Sequence, residues 1–373
     1  MRSILWITQP SMRSYKTKKY LLLSDGPMIR TRNIIKELLK HEKYKIYLVV
    51  PQKEQIEDLK EYKELFSDFK IKLSLIEFIP IWYPYTVQLS RFNFDLKTIE
   101  NMLGKIINNV DLIINEISEL TLNYKVWLKV YNHKNVPIIS YTGHFSRLSE
   151  NKEYNIDFYL RQIDGYLASD KFVINKKSNL NTFKKTINHL YKNELINTCK
   201  NKFYLWDYGI STEELDGYKT KEKFGKLTIF FISRLSDNLR TKGKLFIDYI
   251  NDLYQKNNTF QVIFANVNDA MDWDYLKRNV KPIYIYKQGG LTRKEYIELL
   301  YKSDIVPILY NTDEIFSLGE YEAYYTGNII IHKLDELEKI INYRDFKRKN
   351  YEINEKSVEY NISDFVEDIN LCF

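Results

Sequence analysis

The sequence contains few cysteines and no long apolar run, and each shortage excludes a class of protein. Cys199 and Cys372 are too few and too far apart for a disulfide framework or a zinc site, so a reducing compartment is expected. No segment approaches the roughly 20 consecutive apolar residues of a membrane-spanning helix. Residues 1–9 have a short strand pattern without the apolar core and cleavage site of a signal peptide. We therefore expect a cytoplasmic protein, either free or attached to a membrane face.

Internal repeats, long disordered stretches and a metal-binding cluster are also missing. No tandem repeat with a period of about 20 to 50 residues is visible, which excludes a solenoid. The composition, 44% hydrophobic and 28% charged, is that of a folded protein. Asp272-Trp-Asp274 is the nearest match to an acidic metal motif, but it lies at the start of a predicted helix, where acidic residues favour the helix dipole. The sequence therefore predicts no metal and no other cofactor.

Length and charge leave several partners open. A chain of 373 residues exceeds what one hydrophobic core usually serves, so two domains are expected. The formal net charge of +7 is compatible with nucleic acid, an anionic membrane or a phosphate-bearing substrate. It is equally compatible with a lysine-rich surface that serves solubility.

Apolar runs of strand length alternate with amphipathic helical segments along the whole chain, which is typical of βαβ units with parallel sheets. In the first half the predicted helices are 32–40, 54–66, 96–108 and 124–131, and the predicted strands are 4–8, 45–50, 70–76, 112–114, 137–141 and 165–168. In the second half the predicted strands are 227–233, 260–265, 282–286, 305–309 and 328–332.

A polar, lysine-rich passage at 217–226 separates the two halves. We therefore predict an N-terminal Rossmann-like domain over 1–216, a C-terminal Rossmann-like domain over 217–357 and a final helix over 358–373 that packs back on the first domain. Two doubly wound domains facing across a cleft would bind ligands at the carboxyl ends of their strands.

The most informative stretch runs from Glu314 to Gly327 and contains Glu314 and Glu322 with seven residues between them. A loop after a predicted strand carries Glu314, and a helix then begins at Ser317 and Gly319. The backbone amides around Ser317 and Leu318 would face an anion at the helix N-terminus, which suits a diphosphate. Glu322 would lie on the face of this helix towards the cleft, and Gly327 would end the helix. The alternative is an ordinary surface helix with solvated glutamates.

A second motif lies where a buried strand ends in a basic loop and a helix begins. The loop carries Arg234, Arg240 and Lys242, followed by Gly243. Fixed cations at such a strand end would stabilise an anionic group. The alternative is a solvated basic loop.

Both motifs resemble those of the retaining family 4 glycosyltransferases, which have the two-domain GT-B fold. The paired glutamates resemble that family's Glu-x7-Glu signature, and the basic loop resembles its Gly-Arg-Leu…Lys-Gly motif. Ser317 and Ser233 stand where the family usually has glycine. The residues that match the signature in place are Glu314, Phe316, Glu322, Ala323 and Gly327.

The resemblance implies a role for each matching residue. Glu314 would contact the hydroxyls of the donor sugar, and Glu322 would contact the ribose. Arg234 and Lys242 would neutralise the diphosphate, with Arg240 able to replace one of them.

Three weaker resemblances complete the set. Gly290 and Leu291, before a predicted helix, correspond to the backbone that recognises the base. Gly26 and Arg30 lie in a Gly-Pro-x-Ile-Arg sequence similar to the family's N-terminal loop, which borders the donor phosphate and the acceptor. Arg30 would alternatively lie on a helix surface. His144 follows a predicted strand where relatives carry a cleft histidine, although a lone histidine is more often structural.

The sequence thus predicts a metal-independent, retaining hexosyltransferase that uses a nucleotide-sugar donor in polysaccharide or glycolipid synthesis. Two alternatives stay open: a phage-type transferase that glycosylates hydroxymethylated bases in DNA, and a non-catalytic sugar-nucleotide binding module. Aromatic and basic residues at 78–94 are compatible with sugars, a membrane interface or unstacked bases. A salt-dependent DNA mobility shift would distinguish the DNA alternative.

Overall fold

The computed structural model describes most of both halves of the chain, with gaps between the elements. The described residues are 1–8, 26–40, 43–52, 62–63, 65–66, 73–82, 95–141, 156–174, 181, 183–184, 202–205, 209–232, 243–264, 291–309 and 318–343. The predicted strand 282–286 and the predicted C-terminal helix 358–373 lie outside these ranges, as does most of the predicted helix 54–66. No helix in the described part of the chain is long and apolar enough to cross a bilayer.

The first sheet is fully parallel, with the strand order β3-β2-β1-β4-β5-β6-β7. Its strands are β1 (Arg2–Ile7), β2 (Tyr44–Gln52), β3 (Ile76–Trp82), β4 (Leu112–Asn115), β5 (Ile138–Tyr141), β6 (Lys171–Ile174) and β7 (Phe203–Leu205). The helices between them are α1 (Gly26–Lys40), α2 (Leu96–Ile107), α3 (Thr121–Val130) and α4 (Ile156–Ala168), with short 3₁₀ turns at Leu73–Leu75 and Ser118–Leu120.

The apolar runs of the central strands explain this arrangement. Strands β1 and β4 are buried on both faces and pair in register, with Ile4 beside Leu112 and Trp6 beside Ile114. A continuous apolar strand of this kind suits a parallel sheet covered by helices on both sides. The sheet order reverses direction at β1, and open α/β sheets usually bind ligands at the carboxyl ends of the strands beside such a reversal, here β1 and β4.

The second sheet is also parallel, with the described strands in the order β11-β10-β8-β9. These strands are β8 (Leu227–Phe231), β9 (Phe260–Phe264), β10 (Ile305–Pro307) and β11 (Ile329–Ile331). The helices are α5 (Thr212–Gly217), α6 (Gly243–Lys256), α7 (Arg293–Lys302), α8 (Leu318–Tyr325) and α9 (Leu334–Tyr343). The order reverses between β8 and β10, and the carboxyl ends of strands at such a reversal are where open α/β sheets usually bind ligands.

The chain divides into two compact units, and the stretch that begins at Gly209 belongs to the second. This stretch includes α5, whose Leu215 packs in one apolar cluster with Ile297 and Tyr301 of α7. The polar passage at 217–226, where the sequence suggests a boundary, connects α5 to β8 within the second unit.

Two predicted strands of the first half are corrected by the structure. Residues 165–168 form the last turn of α4, not a strand, and the strand that follows is β6. Gly165 allows α4 to pack closely, because a Cβ atom there would lie 1.7 Å from the Ser118 carbonyl oxygen. The strand predicted over 70–76 begins only at Ile76, because Leu73–Leu75 forms a 3₁₀ turn before β3.

Candidate functional site

The two motifs singled out in the sequence are attached to neighbouring strands. Strand β8 ends at Phe231 and β10 ends at Pro307, and the two strands pair in parallel through Ile229 and Ile305. Residues 232–242 connect the carboxyl end of β8 to the start of α6, and residues 308–317 connect the carboxyl end of β10 to the start of α8. Both connections therefore start at the point where the sheet order reverses.

Most of the predicted site residues lie outside the described residues, either in these two connections or in other segments between the described elements. These are His144, Arg234, Arg240, Lys242, Gly290, Glu314 and Ser317. The described members are Gly26, Arg30, Leu291, Leu318 and Glu322. Their roles towards a ligand stay predictions.

Helix α8 has the extent that the sequence predicts. It begins at Leu318, and Gly327 after it has a φ of +93°, a left-handed conformation that glycine adopts readily at a helix end. The Gly327 amide donates to the Tyr324 carbonyl at 3.0 Å. At the other end, a Cβ atom on Gly319 would lie 2.5 Å from Cδ1 of Ile232, so glycine allows the helix start to approach the end of β8.

Glu322 is buried, so the interpretation of a solvated surface glutamate is wrong. The residue is 2% exposed and faces Arg293, the first residue of α7. Arg293 Nη1 donates to Glu322 Oε2 at 3.2 Å, and Nη2 donates to Oε1. Burial raises the pKa of Glu322, and the charge of Arg293 acts against that rise.

Arg293 also binds a second carboxylate, that of Glu214 in α5. Nε donates to Glu214 Oε1 at 3.1 Å and Nη2 donates to Oε2 at 3.0 Å. The three side chains are 8% exposed for Arg293, 0% for Glu214 and 3% for Glu322. We call Glu214, Arg293 and Glu322 the ion triad, because such a buried guanidinium between two carboxylates links α5, α7 and α8 by charge-assisted hydrogen bonds.

Local capping fixes two members of the ion triad. Thr292 and Glu295 form a capping box at the start of α7, with the Glu295 carboxylate accepting from the Thr292 amide at 2.7 Å. Ser211 caps α5 by accepting from the Glu214 amide at 3.3 Å. Both caps define where a helix begins and therefore where Arg293 and Glu214 project.

The first sheet has its own polar cluster at the carboxyl edge. Glu116, the residue after β4, is 1% exposed and accepts hydrogen bonds on Oε1 from Trp6, Thr31 and Tyr141. Its Oε2 lies 4.0 Å from Nη2 of Arg30, whose guanidinium stacks over the Tyr141 ring at 4.9 Å. We call this set the Glu116 cluster.

Arg30 is 4% exposed, so its interpretation as a residue on a helix surface is wrong. It lies in α1, which begins at Gly26 and not at residue 32 as the apolar pattern suggests. Leu291 and Leu318 are partly buried and pack against the apolar clusters of the second unit.

Sequence reasoning missed Glu116, Glu214 and Arg293. Arg293 stands beside Lys294, whose side chain is 62% exposed, and nothing in the sequence distinguishes the two cations. The capping sequences Ser211-Thr-Glu-Glu and Thr292-Arg-Lys-Glu indicate helix starts, but a capping signal does not reveal what its neighbours bind.

No family model matches the chain, and no curated protein matches it by sequence. Solved structures do match over nearly the whole length. A structure of Anabaena Alr3699/HepE in complex with UDP has a TM-score of 0.63 at 12% identity and covers 100% of both chains. The trehalose-6-phosphate synthase OtsA has a TM-score of 0.60 at 10% identity, covering 99% of each chain. An E. coli structure bound with UDP-2-fluoro glucose has a TM-score of 0.56 at 10% identity, covering 98% of each chain.

At such low identity these similarities concern the fold alone. Parallel α/β sheets in both units and the full-length match to GT-B structures confirm the fold class predicted from the sequence. The chain therefore has the α/β GT-B fold.

Proposed function

We propose that this protein transfers a sugar from a nucleotide-diphosphate donor to an acceptor hydroxyl with retention of configuration and without a metal ion. The observation that carries the proposal is the pairing of β8 with β10. Their carboxyl ends lead into the segments that hold Arg234 and Lys242 on one side and Glu314 on the other. Cations and donor-binding carboxylates would thus start from one crevice at the reversal of strand order.

The chemistry follows from those side chains. Arg234 and Lys242 stabilise the negative charge of the diphosphate as the bond between the anomeric carbon and the phosphate oxygen breaks. The amides at the start of α8, near Ser317 and Leu318, bind a phosphate. Glu314 accepts hydrogen bonds from the sugar. The acceptor oxygen bonds to the anomeric carbon on the same face, and its proton passes to the departing diphosphate.

UDP-glucose is the first donor to test. One HepE structure holds UDP-glucose and another holds UDP, which supports a uridine nucleotide as the donor class of a chain with the same fold. Glu322 contributes to ribose binding in this proposal, and Leu291 with Gly290 lies beside the base. The acceptor is a glycan or glycolipid, in keeping with a cytoplasmic enzyme that works in cell-surface polysaccharide synthesis near a membrane.

The test is nucleotide release. The protein is incubated with UDP-glucose, UDP-N-acetylglucosamine and GDP-mannose, with simple glycosides as acceptors, and the released nucleotide and product are identified by mass spectrometry. We expect UDP release from at least one uridine donor and UDP binding that calorimetry detects. Absence of both release and binding for every donor would contradict the proposal. Nucleotide binding without nucleotide release, whichever acceptor is present, would favour a non-catalytic module instead.

A further inference from the structure

The ion triad limits what Glu322 can do towards a nucleotide. A carboxylate offers about four lone-pair positions to hydrogen-bond donors. Arg293 occupies one on each Glu322 oxygen, through Nη1 and Nη2. The Tyr296 side chain, in the same helix as Arg293, makes a further hydrogen bond to Glu322. Three of about four positions are thereby used inside the protein, and about one is left.

The orientation of the carboxylate is also fixed. The guanidinium is planar and meets each carboxylate with two nitrogen donors, so rotation of Glu322 would break both of its contacts. Glu214 holds the adjacent edge of the same guanidinium, through Nε at 3.1 Å and Nη2 at 3.0 Å. The Arg293 guanidinium lies 5.3 Å from the Tyr296 ring centroid, a further constraint from the same helix.

Resting on the proposed function, we propose that Arg293 is a positioning residue that directs Glu322 to accept a single hydroxyl of the donor ribose. A ribose presents two hydroxyls, but a carboxylate with about one free position accepts only one of them. Arg293 itself touches no nucleotide in this arrangement, since four of its five N–H donors are directed at Glu214 and Glu322.

Glu214 explains why the arginine is held so firmly. Two carboxylates around one guanidinium would repel each other if Arg293 were absent, and burying either charge without a partner is costly. Arg293 therefore favours the ionised form of Glu322 against the effect of burial, and only the ionised form is purely an acceptor. A neutral residue of similar length would leave Glu322 free to rotate or to take a proton.

The experiment measures the binding of UDP, 2′-deoxy-UDP and 3′-deoxy-UDP by calorimetry to the wild-type protein, Arg293→Gln, Arg293→Lys and Lys294→Gln. Lys294 is the matched control, because it is the next residue in α7 and its exposed side chain pairs only loosely with Glu298 at 3.8 Å. For the wild type we expect one deoxy analogue to bind about tenfold more weakly than UDP, as on loss of a hydrogen bond to a charged group. The other analogue should bind like UDP.

The variants separate positioning from a purely structural role. Arg293→Gln should lower the affinity for UDP to that of the sensitive deoxy analogue, and should leave the affinity for that analogue unchanged. The substitution and the removal of the hydroxyl would abolish the same interaction, so their effects should not add. Arg293→Lys should have an intermediate affinity for UDP, because lysine keeps the positive charge but lacks the planar pair of nitrogen donors. Lys294→Gln should match the wild type.

Each contrary result is distinguishable. Equal weakening of UDP and both analogues by Arg293→Gln would overturn the positioning role, because it would indicate general damage to the site. The single-hydroxyl arrangement would be overturned if the wild-type protein bound both deoxy analogues equally more weakly than UDP, or bound neither more weakly. This comparison needs no Arg293 variant, so it holds even if none of them folds. Failure of the wild type to bind UDP at all would instead contradict the uridine donor of the proposed function, on which this inference rests.

Discussion

The indole of Trp6 donates a hydrogen bond to the carboxylate of Glu116 at 2.6 Å, across 110 positions of sequence. The Tyr141 hydroxyl donates to the same oxygen, also at 2.6 Å. A buried carboxylate is tolerated only when donors replace its lost hydration. Glu116 therefore joins β1, β4 and β5 at their carboxyl ends.

Removal of this carboxylate should destabilise the first unit. Glu116→Ala leaves the Trp6 and Tyr141 donors buried without their acceptor, and we expect a loss of about 3 to 5 kcal/mol, as for a broken buried pair. Glu116→Gln keeps the shape and should cost about 1 to 3 kcal/mol. Urea unfolding followed by circular dichroism measures both. Glu77→Gln is the control, since its exposed pair with Lys45 should contribute about 1 kcal/mol or less. Equal midpoints for Glu116→Ala and Glu77→Gln would refute the prediction.

A glycine-to-alanine change in α4 should lower the stability of the protein, although the same change usually raises the stability of a helix. Alanine normally stabilises a helix interior over glycine by about 0.5 to 1 kcal/mol. At Gly165, however, the new Cβ would lie 1.7 Å from the Ser118 carbonyl oxygen, so backbone must move. We expect Gly165→Ala to lower stability by about 1 to 3 kcal/mol or more, the range for overpacking.

The control for this change is Gly217→Ala, at the end of α5, where a Cβ would meet nothing within 4 Å. Thermal unfolding of both variants and the wild type gives the melting temperatures to compare. A Gly165→Ala protein that melts at or above the wild-type temperature would show that α4 does not pack on Ser118 as described.

The same glycine shows where sequence reasoning is limited. Gly165-Tyr-Leu-Ala168 is a short apolar run, and periodicity over so few residues does not distinguish a strand from the end of a buried helix. Runs of β-branched or aromatic residues without glycine predict strands correctly, as with β4 and β8. Their burial on both faces gives a continuous apolar signal, which the final turn of a helix does not.

The candidate site is predictable in part for a related reason. The helix that carries Glu322 and its terminal Gly327 follow from local rules on strand length and glycine conformation. The partner of Glu322 does not, because Arg293 lies 29 positions away and reaches it only through the packing of two helices. Long-range pairing of charges depends on tertiary structure, which single-sequence patterns do not contain.

The basic segment after β8 provides the most direct test of catalysis. Arg234→Ala and Lys242→Ala should each reduce turnover by about 10²-fold or more, by analogy with the removal of one donor to a developing charge. Their circular dichroism spectra should match the wild type. Lys226→Ala, before β8 at the opposite end of the strand, is the matched charge control and should keep full activity. Near-normal rates for both Arg234→Ala and Lys242→Ala would show that the donor site is assigned wrongly.

Sugar transfer should continue in EDTA. Within the part of the chain that the structure describes, no group of three potential ligands could hold a metal ion, and Asp272 with Asp274 lies outside it. The proposed cations Arg234 and Lys242 take the place of a metal at the diphosphate. Activity is measured with and without chelator, and with added Mg²⁺ or Mn²⁺. Complete inhibition by EDTA that either ion restores would contradict the metal-free mechanism.

Transfer with retention from an α-linked donor should give an α-linked product. An inverting enzyme needs a general base at the acceptor hydroxyl, and His144 or Asp25 would be the available side chains. In the retaining mechanism the departing diphosphate takes that proton, and the protein holds charge and geometry. Proton NMR of the first-formed product identifies the anomer, and a β signal would overturn the mechanism. His144→Ala distinguishes the two routes independently: a retaining enzyme should keep measurable turnover without this imidazole, whereas an inverting enzyme that uses it as the base should lose turnover.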